Sequence, residues 1–255
     1  MDGLHTRIAS MLDAIPADFG GGCSLSKACF LADLIRDEDL KITLDIGVYR
    51  GRSLFPQAMA HKLHTKGTVY GVDPWSGVEA VQEQAPAHIQ QKVKDWASSA
   101  DLGAIYDGVS RAILDHDLAA HCVLVRQTSA AAIDYFTEHK TWFDLVHVDG
   151  NHDTARVEED VALYLPRLRR GGFLVMDDVS WPSVRPVCDF VSSRMRRIYE
   201  DVEGTNDFAV FWNEPDWAAR NALSARHVRW RTQVLVRRLK LARRRLRAGK
   251  KGASQ

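Results

Sequence analysis

The 255-residue sequence lacks the marks of several common protein classes. It has only four cysteines, Cys23, Cys29, Cys122 and Cys188, scattered along the chain. That is too few for a disulfide scaffold, so reduced thiols in a cytoplasmic protein are expected. No apolar run approaches the ~18 residues that cross a bilayer. The N-terminal run MDGLHTRIASMLDAIP carries acids and no continuous apolar block, unlike a secretory signal. There is no GxGxxG, which disfavours a nicotinamide dehydrogenase, and no phosphate-cradling GxxxxGK[ST]. No acidic residue follows Asp216.

What is present is ordinary in amount and uneven in placement. Hydrophobic residues make up 45% and charged residues 26%, as in a globular protein able to bury one sizeable core. The net charge is only +1, yet residues 226–251 hold a run of arginines and lysines. Within it Val228, Leu235, Leu239, Ala242 and Leu246 recur at helical spacing, giving a basic amphipathic helix over Gln233–Leu246. Three readings stay open for residues 214–255: a dimer or partner helix, contact with the inner surface of an anionic membrane, or a solvated tail. The body has no nucleic-acid module, which argues against a nucleic-acid partner.

Along residues 1–40, Ile8, Leu12 and Ile15, then Leu31, Leu34 and Ile35, predict two short helices separated by Phe19–Gly22. From residue 41 to 213 strands and helices alternate. The strands are 42–46, 68–73, 121–125, 143–149 and 173–177, followed by a closing hairpin of 198–202 and 208–212. The helices expected between them are 53–64, 130–139, 157–168 and 186–195. Residues 77–118 read as helical with breaks at Gly103 and Gly108, and Gly171-Gly172 reads as a helix end. The pattern predicts an α/β fold: a doubly wound, mostly parallel seven-stranded sheet with an antiparallel last strand, its ligand beyond the strands' carboxyl ends.

The residues suited to chemistry fall at those ends. Asp45-Ile46-Gly47-Val48-Tyr49-Arg50-Gly51-Arg52-Ser53 is a strand followed by glycines that let the backbone turn tightly near a ligand. Asp73 ends the second strand, placed to accept hydrogen bonds from ribose hydroxyls, or else to cap a helix. Trp75 suits either adenine stacking or the core. Asp149-Gly150-Asn151-His152-Asp153 follows the fourth strand, and Asp177-Asp178 ends the fifth. Three carboxylates meeting there would repel unless a cation relieved them, and oxygen ligands favour Mg²⁺ or Ca²⁺ over zinc. A neutral His152 suits a general base, with Asp153 as a competing base or ligand.

The runs Leu44–Ser53 and Val69–Trp75 resemble the class I S-adenosylmethionine-dependent methyltransferases, most closely methyltransferase family 24. The resemblance covers residues 40–213. It implies that Asp45, Gly47, Tyr49, Gly51, Ser53, Asp73, Trp75, Thr128 and Ser129 bind S-adenosylmethionine. The Asp-x-x-His and acidic-pair pattern is similar to that of metal-dependent macrolide-sugar O-methyltransferases. That likeness implies Mg²⁺ on Asp149, Asp177 and Asp178, with His152 as base. The expected acceptor is a hydroxyl of a sugar or glycoside, such as a bacterial polysaccharide or glycolipid precursor. A catechol-like acceptor, or a non-catalytic binding module of the same fold, are the alternatives.

Overall fold

Short β-branched runs bounded by glycine or proline become the strands of one sheet in the computed structural model, which describes residues 3–16, 22–203 and 206–214. The expected tail helix Gln233–Leu246 lies outside the described residues, as does Phe19–Gly21 of the N-terminal break. In chain order the elements are α1 (Gly3–Ala14), α2 (Leu25–Asp37), β1 (Ile42–Ile46), α3 (Leu54–Ala60), β2 (Thr68–Val72), α4 (Gln90–Ser99), α5 (Leu102–Asp115) and β3 (Cys122–Val125). They continue as α6 (Ser129–Glu138), β4 (Phe143–Val148), α7 (Thr154–Tyr164), β5 (Leu168–Asp177), α8 (Arg185–Arg194), β6 (Arg196–Asp201) and β7 (Phe208–Trp212).

The sheet order is β3-β2-β1-β4-β5-β7-β6. Strands β1 to β5 pair in parallel, while β7 is antiparallel to both β5 and β6. The order reverses direction between β1 and β4, so the loops leaving those strands flank a crevice at the switch point. Asp149, immediately after β4, donates its N–H to the Ile46 carbonyl at 2.9 Å, extending the ladder to the crevice itself.

One face of the sheet is sealed by an aromatic cluster in which Phe136, Phe143 and Tyr164 are fully buried. The N-terminal helices seal part of the rest. Ile8, Leu31, Leu34 and Ile35 are solvent-inaccessible, and α2 packs on α3. Each such side chain contributes roughly 1.5–3 kcal/mol of burial. Residues 1–40 therefore belong to the same compact unit as the sheet.

Three local expectations are corrected. Helix α5 runs straight through Gly103 and Gly108. Asp101 caps it by accepting the Ala104 N–H at 2.9 Å, and Leu102, Ile105, Val109 and Ile113 bury one stripe. That burial outweighs the ~1 kcal/mol each glycine costs a helix. Residues 77–89 are turns, not helix. Gly171 and Gly172 lie inside β5, where a Cβ on Gly172 would stand 2.8 Å from the Asp144 carbonyl oxygen.

After α3 comes one wide π turn, His61–Thr65, whose imidazole is buried between the hydroxyls of Thr43 (3.1 Å) and Thr65 (2.7 Å). Burial first, then His121, press its pKa down to about 3, with Asp144 opposing and Lys41 assisting. The folded group stays neutral while the unfolded one protonates near 6.5. Its contribution is thus complete above about pH 6.5 and is lost as pH falls towards 3. Denaturant titrations of wild type and His61→Gln should show wild type losing up to about 1.4 kcal/mol more per pH unit below about pH 6. Parallel curves would show that His61 is not the titrating group.

Candidate active site

The crevice holds a cavity of about 360 Å³, within the usual range for small-molecule sites. Its floor is set by Gly47, at φ +86°. A Cβ there would stand 2.0 Å from the Asp149 carbonyl oxygen, so the loops after β1 and β4 touch backbone to backbone. Tyr49, Trp75 and Asp178 take left-handed conformations (φ 47°, 44° and 51°) just past the ends of β1, β2 and β5. Such non-glycine residues cost of order 1–3 kcal/mol each and collect at functional sites.

Asp73 ties the first two loops together. Its Oδ2 accepts the Tyr49 N–H at 2.9 Å and its Oδ1 the Trp75 N–H at 2.6 Å. The residue lines the cavity with Gly47, Tyr49, Ser53, Thr128 and Ser129. Burial raises the Asp73 carboxyl above its ordinary value, against the opposing N–H groups of Tyr49, Trp75 and Val48. Thr128 also caps α6 by accepting the Ala131 N–H at 3.2 Å.

Three residues expected at the cofactor do not line this cavity. Asp45 is fully buried: it accepts the Ser53 hydroxyl at 2.8 Å and pairs with His147 Nδ1. Trp75 is a core aromatic, its indole N–H donated to the Tyr49 carbonyl at 3.0 Å and its ring edge-on to Tyr106. Gly51 shapes the turn, at φ +81°, donating to the Val48 carbonyl at 2.8 Å. Asp153 is also turned away, because its oxygens accept the N–H groups of Glu83 (2.9 Å) and Gln84 (2.7 Å).

The carboxylates after β4 and β5 do converge, but not on one another. Lys27 of α2, 2% exposed, places its ammonium on Asp177 Oδ2 and 3.3 Å from Asp149 Oδ2. Asp177 Oδ1 lies 3.1 Å from His147 Nε2. Asp149 Oδ1 is 3.5 Å from His152 Nε2, which is 3.0 Å from Asp178 Oδ2. The result is a chain of alternating charge: Asp45, His147, Asp177, Lys27, Asp149, His152, Asp178.

Each shift follows from that alternation. Burial opposes the Lys27 ammonium, yet Asp177 and then Asp149 hold its pKa above the ordinary lysine value. Burial would raise Asp177, but Lys27 and then His147 keep its carboxyl well below the usual range. Burial lowers His152, and Asp178 with Asp149 outweigh it, lifting the imidazole to about 9. The histidine expected from sequence to be neutral is thus pushed towards its protonated form by its carboxylate neighbours. Burial lifts Asp178 to about 7 against the pull of His152.

Asp149, Asp177 and Asp178, expected to hold magnesium, do not meet at one point: Lys27 stands between Asp149 and Asp177, and His152 between Asp149 and Asp178. A cation set of Asp149, His152 and Asp178 does have one ligand atom from each within 4.8 Å of the others. Imidazole is a poor partner for hard Mg²⁺, which takes oxygen. Between Asp149 and Asp177 the place of a cation is taken by the Lys27 ammonium, so Mg²⁺ does not fit there while Lys27 stands in it.

Lys27 and His147 escape motif reading because neither lies in a motif. Both leave a signal all the same. Lys27 falls on the stripe of Leu31, Leu34 and Ile35, and His147 interrupts an apolar strand.

The reversed strand order with its ligand loops at the switch point defines a class I methyltransferase fold. A family model described as "Methyltransferase domain" matches residues 44–179, more than half of the chain. The chain belongs to that family, methyltransferase family 24. No curated protein is similar enough in sequence to match. Among solved structures, it is similar to the O-methyltransferase NovP at 14% identity and TM-score 0.59, covering 84% of this chain and 97% of that one. It is also similar to an O-methyltransferase from Bacillus cereus in complex with SAH, at 15% identity and TM-score 0.57, covering 84% and 92%. A third is TomG from Streptomyces achromogenes in complex with SAM, at 15% and 0.54, covering 84% and 91%. At these identities the likeness concerns the fold. No helix among the described residues is long and apolar enough to cross a membrane.

Gly47→Ala should destabilise the unit by more than about 1 kcal/mol, since alanine is strained at positive φ and its methyl meets backbone that cannot swing aside. Urea unfolding of the variant measures this; an unchanged midpoint would refute the close contact of the two loops.

Proposed function

We propose that this protein transfers a methyl group from S-adenosylmethionine to a hydroxyl oxygen of a polyhydroxylated acceptor, a sugar or glycoside. The observation that carries the reading is the pairing, in one cavity, of a ribose-ready Asp73 with a proton-holding His152–Asp178 pair. The cofactor-bound structures of TomG and the Bacillus cereus enzyme support the choice of cofactor.

S-adenosylmethionine, when bound, supplies an electrophilic methyl group. Asp73 offers its remaining acceptor capacity to the ribose, Gly47 and Tyr49 shape the loop for the methionine part, and Thr128 and Ser129 stand where adenine belongs. At the other end, Asp178 receives the proton that leaves the acceptor oxygen. A base works best near the operating pH. His152 keeps that carboxylate oriented, with its Nδ1 3.3 Å from Gln82 Oε1. No step is routed through magnesium, because Lys27 already holds Asp149 and Asp177. The Trp181 ring lies 5.0 Å from His152, and Glu79, Gln82, Arg156 and Asp207 add polar groups to the lining. An aromatic face among dense hydrogen-bonding groups suits a sugar ring.

A labelled-methyl screen over glycosides and catechols tests the acceptor class, with turnover expected on glycosides; turnover confined to catechols would overturn it. Asp73→Ala should weaken S-adenosylmethionine binding by about 1.5–3 kcal/mol in calorimetric titration, as for hydrogen bonds to a charged group. Unaltered affinity would remove Asp73 from the cofactor site. Asp178→Asn and His152→Ala should each lower kcat by roughly 10²–10⁴, with cofactor affinity near wild type. Near-normal kcat in both would place the base elsewhere.

A further inference from the structure

We infer that Lys27 is the resident cation of this site: its ammonium stands between Asp149 and Asp177 where a divalent metal would bind, and the site works without one. The inference rests on the methyl-transfer reading for its kinetic consequence, but not for the metal exclusion itself.

Four observations carry it. The Lys27 side chain is 3% exposed and reaches carboxylates from two different strand ends, so it is built into the site rather than draped over it. Its backbone is clamped: the Lys27 N–H donates to Ser24 Oγ at 3.1 Å, and Ser24 in turn donates to Asn206, which bonds Ser26 (3.0 Å) and Asp201 (2.9 Å). Helix α2 is thereby fastened to the hairpin beside β5, and the ammonium also lies 5.8 Å from the Phe208 ring centroid. Both Asp177 oxygens are already engaged, one by His147 and the other by Lys27. Finally, Asp149 Oδ2 is engaged too, by the same ammonium at 3.3 Å. A dication entering between Asp149 and Asp177 would have to expel the lysine, which has no other carboxylate partner among its described contacts.

In this role Lys27 is a positioning residue. It acts through Asp149 and Asp177, holding two carboxylates that would otherwise repel and fixing the orientation in which Asp149 faces His152. Without it those carboxylates become an oxygen-rich pocket of the kind that takes Mg²⁺ or Mn²⁺.

The test is metal titration of the full chain with S-adenosylhomocysteine present, following free Mn²⁺ by its paramagnetic resonance signal. Wild type should leave the added Mn²⁺ free. Lys27→Met should take up one equivalent, binding at least about tenfold more tightly than wild type, because two unpaired carboxylates then face each other. Lys27→Arg, which keeps the charge, should stay metal-free. Stoichiometric Mn²⁺ uptake by wild type overturns the inference. So does a folded Lys27→Met that binds no metal, because lysine would then not be what excludes it. If Lys27→Met does not fold, the wild-type titration decides alone. With an acceptor in hand, wild-type turnover should be unchanged by chelator, and loss of turnover restored by Mg²⁺ overturns the inference. Failure of the methyl-transfer reading would show separately, as absent S-adenosylmethionine binding with the metal result untouched.

Discussion

The contact on which the site depends is the buried ammonium of Lys27 between Asp149 and Asp177. Parallel strands β4 and β5 necessarily bring their carboxyl ends together, and each ends in an acid. Two carboxylates at that distance in a dry interior cannot both stay ionised without a cation. Lys27 supplies it from a helix that precedes the whole sheet in sequence. The N-terminal segment is therefore part of the site's electrostatics, and not only a lid on the core. Breaking a buried pair by removing one partner typically costs about 3–5 kcal/mol, since the surviving charge is left uncompensated.

From that contact the order runs outward in both directions. Inward, Asp177 passes to His147 and on to Asp45, whose other oxygen takes the Ser53 hydroxyl. That links the strand-five acid to the start of the glycine loop's helix through side chains that are almost wholly buried. Outward, Asp149 passes to His152 and Asp178 at the cavity. Gly47 makes the arrangement possible, because only a residue without Cβ lets the β1 loop lie against the Asp149 carbonyl. The acceptor end and the cofactor end are thus held at a fixed separation by backbone, with little room to drift apart.

Much of this was legible in the sequence because strand-end position is a local property. Period-two runs stopped by glycine or proline marked Gly47, Asp73, Asp149, Asp177 and Asp178 at carboxyl ends, and topology alone then brought them to one crevice. What was not legible was pairing across long separations. Magnesium was expected at the acids, whereas Lys27 stands 122 residues before Asp149 and outside any motif. Asp45 looked like a ligand residue because it borders the glycine loop, yet strand alternation points it at His147. Gly103 and Gly108 looked like breaks because glycine weakens helices on average, while α5 is held by tertiary burial of Ile105, Val109 and Ile113.

A fixed ammonium and a metal ion ask different things of an acceptor. A metal with open positions can chelate two neighbouring oxygens, which selects a vicinal diol whatever the rest of the molecule looks like. An ammonium has three N–H donors. Two of Lys27's go to Asp177 and Asp149, and the third side of the group faces the Phe208 ring. It cannot chelate. On the proposed reading the choice of hydroxyl falls to groups that still face the cavity, Asp178, His152 and Gln82, beside the Trp181 ring. Selectivity of that kind depends on shape and hydrogen-bond placement, and a single hydroxyl suffices for the reaction. The burden of discrimination therefore passes from the strand ends, which are rigid, to the turns of residues 77–89 and the Trp181 loop, where Asn151 and Asp153 hold the Glu79, Val81, Glu83 and Gln84 backbone in place.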